Sequence, residues 1–294
     1  MATAPISVIL PHHNRSHLIA AAIDSIRNQT LQPTEIIIVD DASEPDHRAA
    51  LQKFSSIARI VFLEKNVGPG RARNVGVDAA QSEYLAFLDD DDEWFPNKLE
   101  FQWDVLQSDP SLHGVAAPMT IRYDDGPEAI LRSHASEIIS LPAALAGTPA
   151  LLQTLLVRTD AIRLLGGFES SFDMLSDREF WVRFTAAGYR ARYMQQPLAR
   201  LDRRGIARFT SDERRCMELH LRIVDKHARL YDQTLGRGAA RLERSRILRR
   251  HGTMFGGVHG RLLYLQGCVM AAEWKHLFHL FTTGRMLEVP YARV

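Results

Sequence analysis

Four consecutive aspartates, Asp89 to Asp92, close the apolar run of YLAFLDDDDEW. Like charges this close repel and raise one another's pKa unless a cation compensates them. An oxygen-only donor set suits a hard divalent ion, Mn²⁺ or Mg²⁺, which could bridge onward to a diphosphate. An exposed acidic loop is the competing reading, but an apolar strand aims these side chains at one edge of a sheet. Upstream, IIIVDDAS repeats the pattern with Asp40 and Asp41. Acceptor-only carboxylates there can take the N–H of a base or the hydroxyls of a ribose. Equally, one aspartate can organise the turn into the next helix, with Ser43 as its N-cap and Pro45 in its first turn.

Between these lies NVGPGRARNVG, where Gly68 and Gly70 allow close backbone approach and Arg71 and Arg73 can neutralise phosphate. It is neither a Walker A loop nor a GxGxxG after the first strand, and a plain glycine-containing helix entry fits it as well. In SDREFWVRF, Ser176 and Glu179 match the S-x-x-E capping box, which puts Asp177 in a first helical turn. A carboxylate held so rigidly beside a metal-bound diphosphate is also suited to general-base work. Trp94 and Trp181, close to these motifs, can stack on a sugar or acceptor ring or simply pack.

Strand-like runs that are continuous rather than alternating position these groups: Ile6 to Leu10, Ile36 to Val39, Ile60 to Leu63 and Tyr84 to Leu88. Buried strands of a mostly parallel sheet read this way. Helical spacing fills the intervals, at Leu18, Ile19, Ala22, Ile23 and Ile26 and again from Pro69 to Ala80. The alternation predicts an α/β, doubly wound sheet whose ligands sit beyond the carboxyl ends of the strands. Further on, Pro96 to Gln107 reads as a helix, Gly114 to Met119 as a strand, Leu151 to Val157 as an apolar run, Ser176 to Ala187 as a helix and Tyr189 to Met194 as a strand. From Ser211 the chain reads as arginine-rich helices interrupted at Gly236, Gly238, Gly252, Gly256 and Gly257.

The 294 residues, 46% hydrophobic and 24% charged, suffice for one large domain with an appendage. A net charge of +1 argues against a nucleic-acid partner. Basic residues outnumber acids between Arg200 and Arg261, so this part could lie on an anionic membrane, form a homodimer interface, or present a solvated face. Cys216 and Cys268 form no CxxC pair, which fits a reducing compartment. The opening MATAPISVIL lacks the features of a secretory signal, and no apolar run approaches the ~20 residues that span a bilayer. A cytoplasmic protein is expected, peripheral at the inner membrane face if the basic helices dock there.

The ordered set ISVILPHHNR, QTLQPTEIIIVDDAS, NVGPGRARNVG, EYLAFLDDDDEWFPNKL, LLVRTDAIRLLGGFESSF and SDREFWVRF resembles glycosyltransferase family 2, over roughly residues 5 to 205. The resemblance implies a GT-A fold with a nucleotide-binding part over about 1–118, an acceptor-binding part over about 119–205, and a helical region over 206–294. It implies an inverting transferase that moves sugar from a nucleoside diphosphate to a hydroxyl of a saccharide or lipid-linked acceptor, in surface polysaccharide or glycolipid synthesis. By position, Asp41 would contact the nucleobase and Asp89 and Asp91 form the DXD pair. Asp91 would then be the main metal ligand, with Asp89 nearer the ribose and Asp90 assisting. Asp177 matches the catalytic base. The loop containing Pro11, His13, Asn14 and Arg15 matches a lining of the nucleotide pocket, to which Asn66, Gly68, Arg71, Arg73 and Asn74 are added. Ser176, Trp94 and Trp181 are expected at the acceptor. The chain departs from the family in carrying Ser176 where Glu is common and His13 where an aromatic such as tyrosine is common, and the segment directly after Leu198 lacks the His often found near the metal in relatives. Nucleotidyl transfer and non-catalytic nucleotide-sugar binding are the rival readings; PHHNRS, without glycine, does not resemble the loop expected of the former.

Overall fold

Eleven residues of β1 (Ala2–His12) and ten of β2 (Leu31–Asp40) make the backbone of the sheet, because Val8 to Leu10 and Ile37 to Val39 are apolar on both faces and can be covered on both. The computed structural model describes residues 2–123, 127–132, 136–202, 212–255 and 257–271. With β3 (Arg59–Phe62), β4 (Tyr84–Phe87), β6 (Gly114–Ala116), β9 (Leu156–Arg158) and β10 (Ala191–Tyr193), these strands form a seven-stranded sheet in the order β10-β6-β9-β4-β1-β2-β3. All neighbours are parallel except β9, which runs antiparallel to both β4 and β6. A second sheet, in the order β5-β11-β7-β8, contains β5 (Asp92–Trp94), β7 (Met119–Arg122), β8 (Ala129–Leu131) and β11 (Ala199–Asp202).

The chain runs outward from β1 through β2 to β3, then returns to place β4 on the other side of β1. That reversal is the switch point at which doubly wound sheets open a crevice beyond their strand ends. His12, Asp40 and Phe87 are the last residues of β1, β2 and β4, so the loops that follow them converge there.

The helices bury the spacing read from the sequence. In α1 (Ile19–Arg27), Ile19, Ala22, Ile23 and Ile26 face the core. The helices α3 (Pro69–Ala79) and α4 (Lys98–Ser108) follow, with α2 (Pro45–Leu51) on the β2–β3 connection. Between β8 and β9 lies α5 (Leu141–Ala146), and α6 (Thr159–Leu164) follows β9. The helix α7 (Ser176–Ala186) buries Phe180, Trp181, Val182 and Phe184. Phe180 meets Phe168 at 5.3 Å between ring centroids, and Phe168 meets Phe87 edge-on at 5.2 Å. Such aromatic pairs add about 0.5–1.5 kcal/mol beyond their burial. The chain of rings ties the start of α7 to the strand that ends at the aspartates.

Two expectations need correction, and one apolar run resolves into two elements. The run Gly114 to Met119 is two strands, not one: β6 and β7 belong to different sheets, parted at Ala117-Pro118, because proline removes a ladder donor. The run Leu151 to Val157 opens as a 3-10 turn, Leu152–Thr154, before β9 begins. Gly252 does not interrupt a helix. It lies within α10 (Ala239–Phe255), where a Cβ would stand 2.7 Å from the carbonyl oxygen of Gly260 in α11 (Gly257–Ala271), so its lack of a side chain lets two backbones touch. Gly256 lies outside the described residues.

Residue contacts divide the chain into two units, 1–206 and 207–293. The second is helical where described: α8 (Glu213–Lys226), α9 (Ala228–Leu235), α10 and α11. Asp212 caps α8 by accepting from the amide of Arg215 at 2.9 Å. No helix among the described residues is long and apolar enough to cross a membrane.

Candidate active site

The four aspartates do not act as one row. A turn closed by the amide of Asp92 on the carbonyl of Asp89, at 3.2 Å, folds the loop back on itself. One oxygen each of Asp89, Asp91 and Asp92 comes within 4.8 Å of the others. Asp90 turns inward and is buried; His12 Nδ1 lies 2.8 Å from one of its oxygens and the Arg15 guanidinium 3.0 Å from the other. Asp90 is therefore a brace for the loop, correcting its placement in the nucleotide pocket, and Asp92 joins the acidic group in its stead. Alternation along an extended strand would have put Asp90 and Asp92 on one face; the turn decides otherwise.

An all-oxygen group of this size fits a hard divalent cation. Arginines share the charge compensation. Arg15 donates to Asp91 at 2.7 Å, and Arg73, buried near the start of α3, donates to Asp89 at 2.5 Å. The second oxygen of Asp89 accepts from Gln153 Nε2, also at 2.5 Å. Gln153 carried no sequence signal of its own, and His12, within the Pro11 to Arg15 loop expected to line the nucleotide pocket, is buried against Asp90.

At the end of β2, Asp40 is a turn organiser. It accepts from the amide of Ser43 at 3.2 Å and from Arg48 Nε at 2.9 Å. The N-cap of α2 is Glu44 rather than Ser43, whose hydroxyl instead accepts from the amide of Asn14. Asp41 grips the glycine-containing loop, accepting from the amides of Val67 and Gly68 at 2.7 and 2.8 Å. Asn66 Oδ1 reaches the same Gly68 amide at 3.2 Å. His13 Nδ1 lies 2.7 Å from the carbonyl oxygen of Asp41; a carbonyl only accepts, so Nδ1 carries the proton. Pro11 is buried within β1.

Two asparagines assigned to the nucleotide also brace the loops around it. Asn14, in the left-handed region at φ 54°, accepts from the amide of Glu44 at 2.8 Å and so locks the β1 loop to the β2 loop. Asn74 donates to the carbonyl of Phe168 at 2.8 Å and accepts from its amide at 2.7 Å, spending both ends of its amide on one residue. This pairing explains the preceding glycine. Gly167 has φ +72°, and a Cβ there would collide with Asn74 Oδ1. Arg183 holds the same turn from the other side, donating to the carbonyls of Leu165 and Gly167 at 2.8 Å. Arg71 is exposed at the start of α3.

The start of α7 is thereby fixed beside the aspartates. Its expected capping box is not formed: the N-cap is Leu175 without a side-chain bond, and Glu179 pairs with Arg183 at 2.8 Å instead. Asp177 occupies the first turn, half-buried, and accepts from the amide of Arg178 at 2.8 Å. Burial pushes its carboxyl up to about 6, and the charge of Asp89 adds to the rise; the Arg178 amide and the Arg73 guanidinium oppose it. A pKa near neutrality is what a general base needs, since it must be ionised yet still basic. Ser176 beside it is buried.

The tryptophans are corrected. Trp181 is fully buried against Phe180 and Phe184 and donates to the carbonyl of Ala150 at 2.7 Å. Trp94 is buried, with the Lys98 ammonium 4.1 Å from its ring centroid. Neither ring face is open to a sugar, since stacking requires an exposed face.

Residues 7–165 match the family model described as glycosyl transferase family 2. Among curated relatives, a putative teichuronic acid biosynthesis glycosyltransferase, TuaG of Bacillus subtilis, is 30% identical over 66% of this chain and 77% of its own. A UDP-Glc:alpha-D-GlcNAc-diphosphoundecaprenol beta-1,3-glucosyltransferase, WfgD of Escherichia coli, is 38% identical over 34% of this chain and 40% of its own. The matched region spans between 15% and 77% of the length of such relatives. The crystal structure of S. aureus TarS 1-349 in complex with UDP-GlcNAc superposes with a TM-score of 0.68 at 17% identity, covering 91% of this chain and 79% of that one. At that identity the superposition speaks for the fold, a mostly parallel α/β sheet of GT-A type.

Proposed function

Because this chain belongs to glycosyltransferase family 2 and is a transferase, we propose that it moves a sugar from a nucleoside diphosphate to an acceptor hydroxyl by a single inverting displacement. Family membership also weighs against nucleotidyl transfer and against a non-catalytic binder. The observation that carries the reading is Asp177, held at a helix start with a carboxyl at about 6, beside Arg73 and the acidic turn.

In this reading Asp41 and the loop around His13 line the base and ribose. Asp41 spends both oxygens on backbone amides, but each oxygen keeps a second lone pair for a base N–H. Asp91, Asp89 and Asp92 would hold Mn²⁺ or Mg²⁺. The bound cation would supply Lewis-acid stabilisation of the charge left on the departing diphosphate. Arg15 and Arg73 reach the same carboxylates and are placed to share that charge. On the far side of the anomeric carbon, Asp177 accepts the acceptor's hydroxyl proton. The acceptor oxygen–carbon bond forms as the carbon–phosphate oxygen bond breaks, and the nucleoside diphosphate leaves with the bonding pair. One displacement inverts the anomeric centre, as in single-displacement glycoside chemistry.

The names of the relatives suggest UDP-glucose and UDP-GlcNAc as first donors to try, and a saccharide or lipid-linked acceptor of a surface polysaccharide. Thermal-shift screening of these donors with and without Mn²⁺ tests the reading, since a ligand of the native state raises its stability. A hit is then followed by transfer assays with lipid-linked saccharide acceptors. Absence of any donor-dependent shift across the nucleotide sugars refutes it. For the helical unit, docking on an anionic membrane is the reading to test. Leu262 and Val269 are exposed on α11, and vesicle flotation without salt-sensitive association would end that idea.

A further inference from the structure

The carboxylate of Asp89 is held by two donors of different kinds, and only one of them is charged. Arg73 takes Oδ1, and the neutral amide of Gln153 takes Oδ2. Gln153 sits on the 3-10 turn Leu152–Thr154, ahead of the antiparallel strand β9 that runs beside β4. An amide on a turn would ordinarily be a loose support, because a glutamine has three rotatable bonds to immobilise.

Here the turn is gripped from beneath. Trp94 Nε1 donates to the carbonyl of Gln153 at 2.8 Å. Gln102 Nε2 donates to the next carbonyl, Thr154, at 2.7 Å, and to that of Val115 at 2.9 Å. Gln102 Oε1 in turn accepts from Lys98 Nζ at 2.7 Å, and Lys98 lies over the Trp94 ring. Trp94, Lys98 and Gln102 are all buried, and burial holds the Lys98 ammonium well below its usual pKa. A polar network set this deep would be costly if left partly satisfied, and fully paired it specifies one arrangement.

We infer that Gln153 is a positioning residue for Asp89, and that the buried Trp94–Lys98–Gln102 network exists to hold it there. Its amide fixes which oxygen of Asp89 faces the cation and the ribose. Being uncharged, it does so without competing with the cation for the carboxylate's charge, as a second arginine would. Outer-shell partners of metal-binding carboxylates carry about 10–100-fold in metal affinity. The inference rests on the proposed role of the acidic turn as a cation and nucleotide site.

Gln153→Met keeps the length and volume of the side chain and removes the donor. Calorimetric titration with UDP, with and without Mn²⁺, gives the metal-dependent gain in affinity for wild type and variant. We expect that gain to fall about ten-fold in Gln153→Met, while UDP affinity without metal and the unfolding midpoint of the metal-free protein stay unchanged. Trp94→Phe, which loses the N–H but keeps a ring, should reduce the same gain by a smaller factor. A gain in wild type that Gln153→Met leaves intact overturns the inference alone. An equal loss with and without Mn²⁺ shows a general disturbance of the pocket and overturns it as well. No Mn²⁺-dependent gain in the wild type refutes the cation reading of the turn, and this inference with it.

Discussion

Replacing Asp177 by Asn should abolish transfer and, at neutral pH, make the protein more stable. The carboxyl is raised from 3.8 to about 6, mainly by burial, which water-exposed unfolded chain does not impose. A raised folded-state pKa contributes stability that is fully present below the unfolded value. It is lost as pH climbs through the folded value, because the native protein must surrender a proton it holds more tightly than the unfolded chain does. A rise of roughly 2 units at 1.36 kcal/mol per unit sets a ceiling of about 3 kcal/mol. Asp177 is only half-buried, so solvent screening reduces the expected gain to about 1–2 kcal/mol. For a unit of this size 1 kcal/mol moves the midpoint by about 2–4 °C, which places Asp177→Asn roughly 2–8 °C above wild type at pH 8 without metal. The difference should shrink as pH falls and vanish below about pH 3, under the unfolded value of 3.8, where both folded and unfolded carboxyls hold their protons. Scanning calorimetry across that range reads it directly. Adding Mn²⁺ should narrow the gap at pH 8, since a nearby cation favours the ionised carboxylate of the wild type. A variant that melts at or below wild type at pH 8, or a gap that does not change with pH, would refute the electrostatic account of Asp177.

Other outcomes follow from the same geometry. The turnover rate should climb with pH and level off above about 6, as Asp177 ionises, and a pH–rate profile flat between 5 and 7 would remove it as the base. Asp91→Ala should lose Mn²⁺-dependent donor binding, whereas Asp177→Asn should retain it; equal donor affinity in Asp91→Ala and wild type, measured with Mn²⁺, would contradict the proposed ligand. Gly167→Ala must place a Cβ against Asn74 at φ +72°. It should cost about 1–3 kcal/mol in urea unfolding, with loss of activity as the start of α7 shifts; a variant as stable as wild type would show the Asn74–Phe168 pairing to be dispensable.

The sheet and the strand-end edge at which the aspartates gather were legible in the residue order. Continuous runs such as Ile37 to Val39 became buried strands, although Ile60 to Leu63, expected to be buried as well, is corrected to the partly exposed strand β3 because it lies at the sheet edge with one side unpaired. Carboxylates placed directly after buried runs emerge at the strand-end edge. The spacing of Ile19, Ala22, Ile23 and Ile26 likewise fixed a buried helical face. Roles within the site were another matter. Asp89 to Asp92 are chemically identical, and only the turn closed between the first and last of them separates the three that converge from the one that braces His12 and Arg15. Asn14 and Asn74 sit in motifs that invite a nucleotide, yet partners 30 and 94 positions away in the chain occupy them. Trp94 and Trp181 lie beside the motifs in sequence but inside the core in space. Gln153 carries no pattern at all, since its meaning comes from a strand that returns antiparallel beside β4. Local sequence determines which backbone a segment prefers and which of its faces is apolar. Which polar atom meets which is decided by long-range packing, because a side chain's hydrogen-bonding partner is chosen by the fold that brings it near and not by its neighbours in the chain.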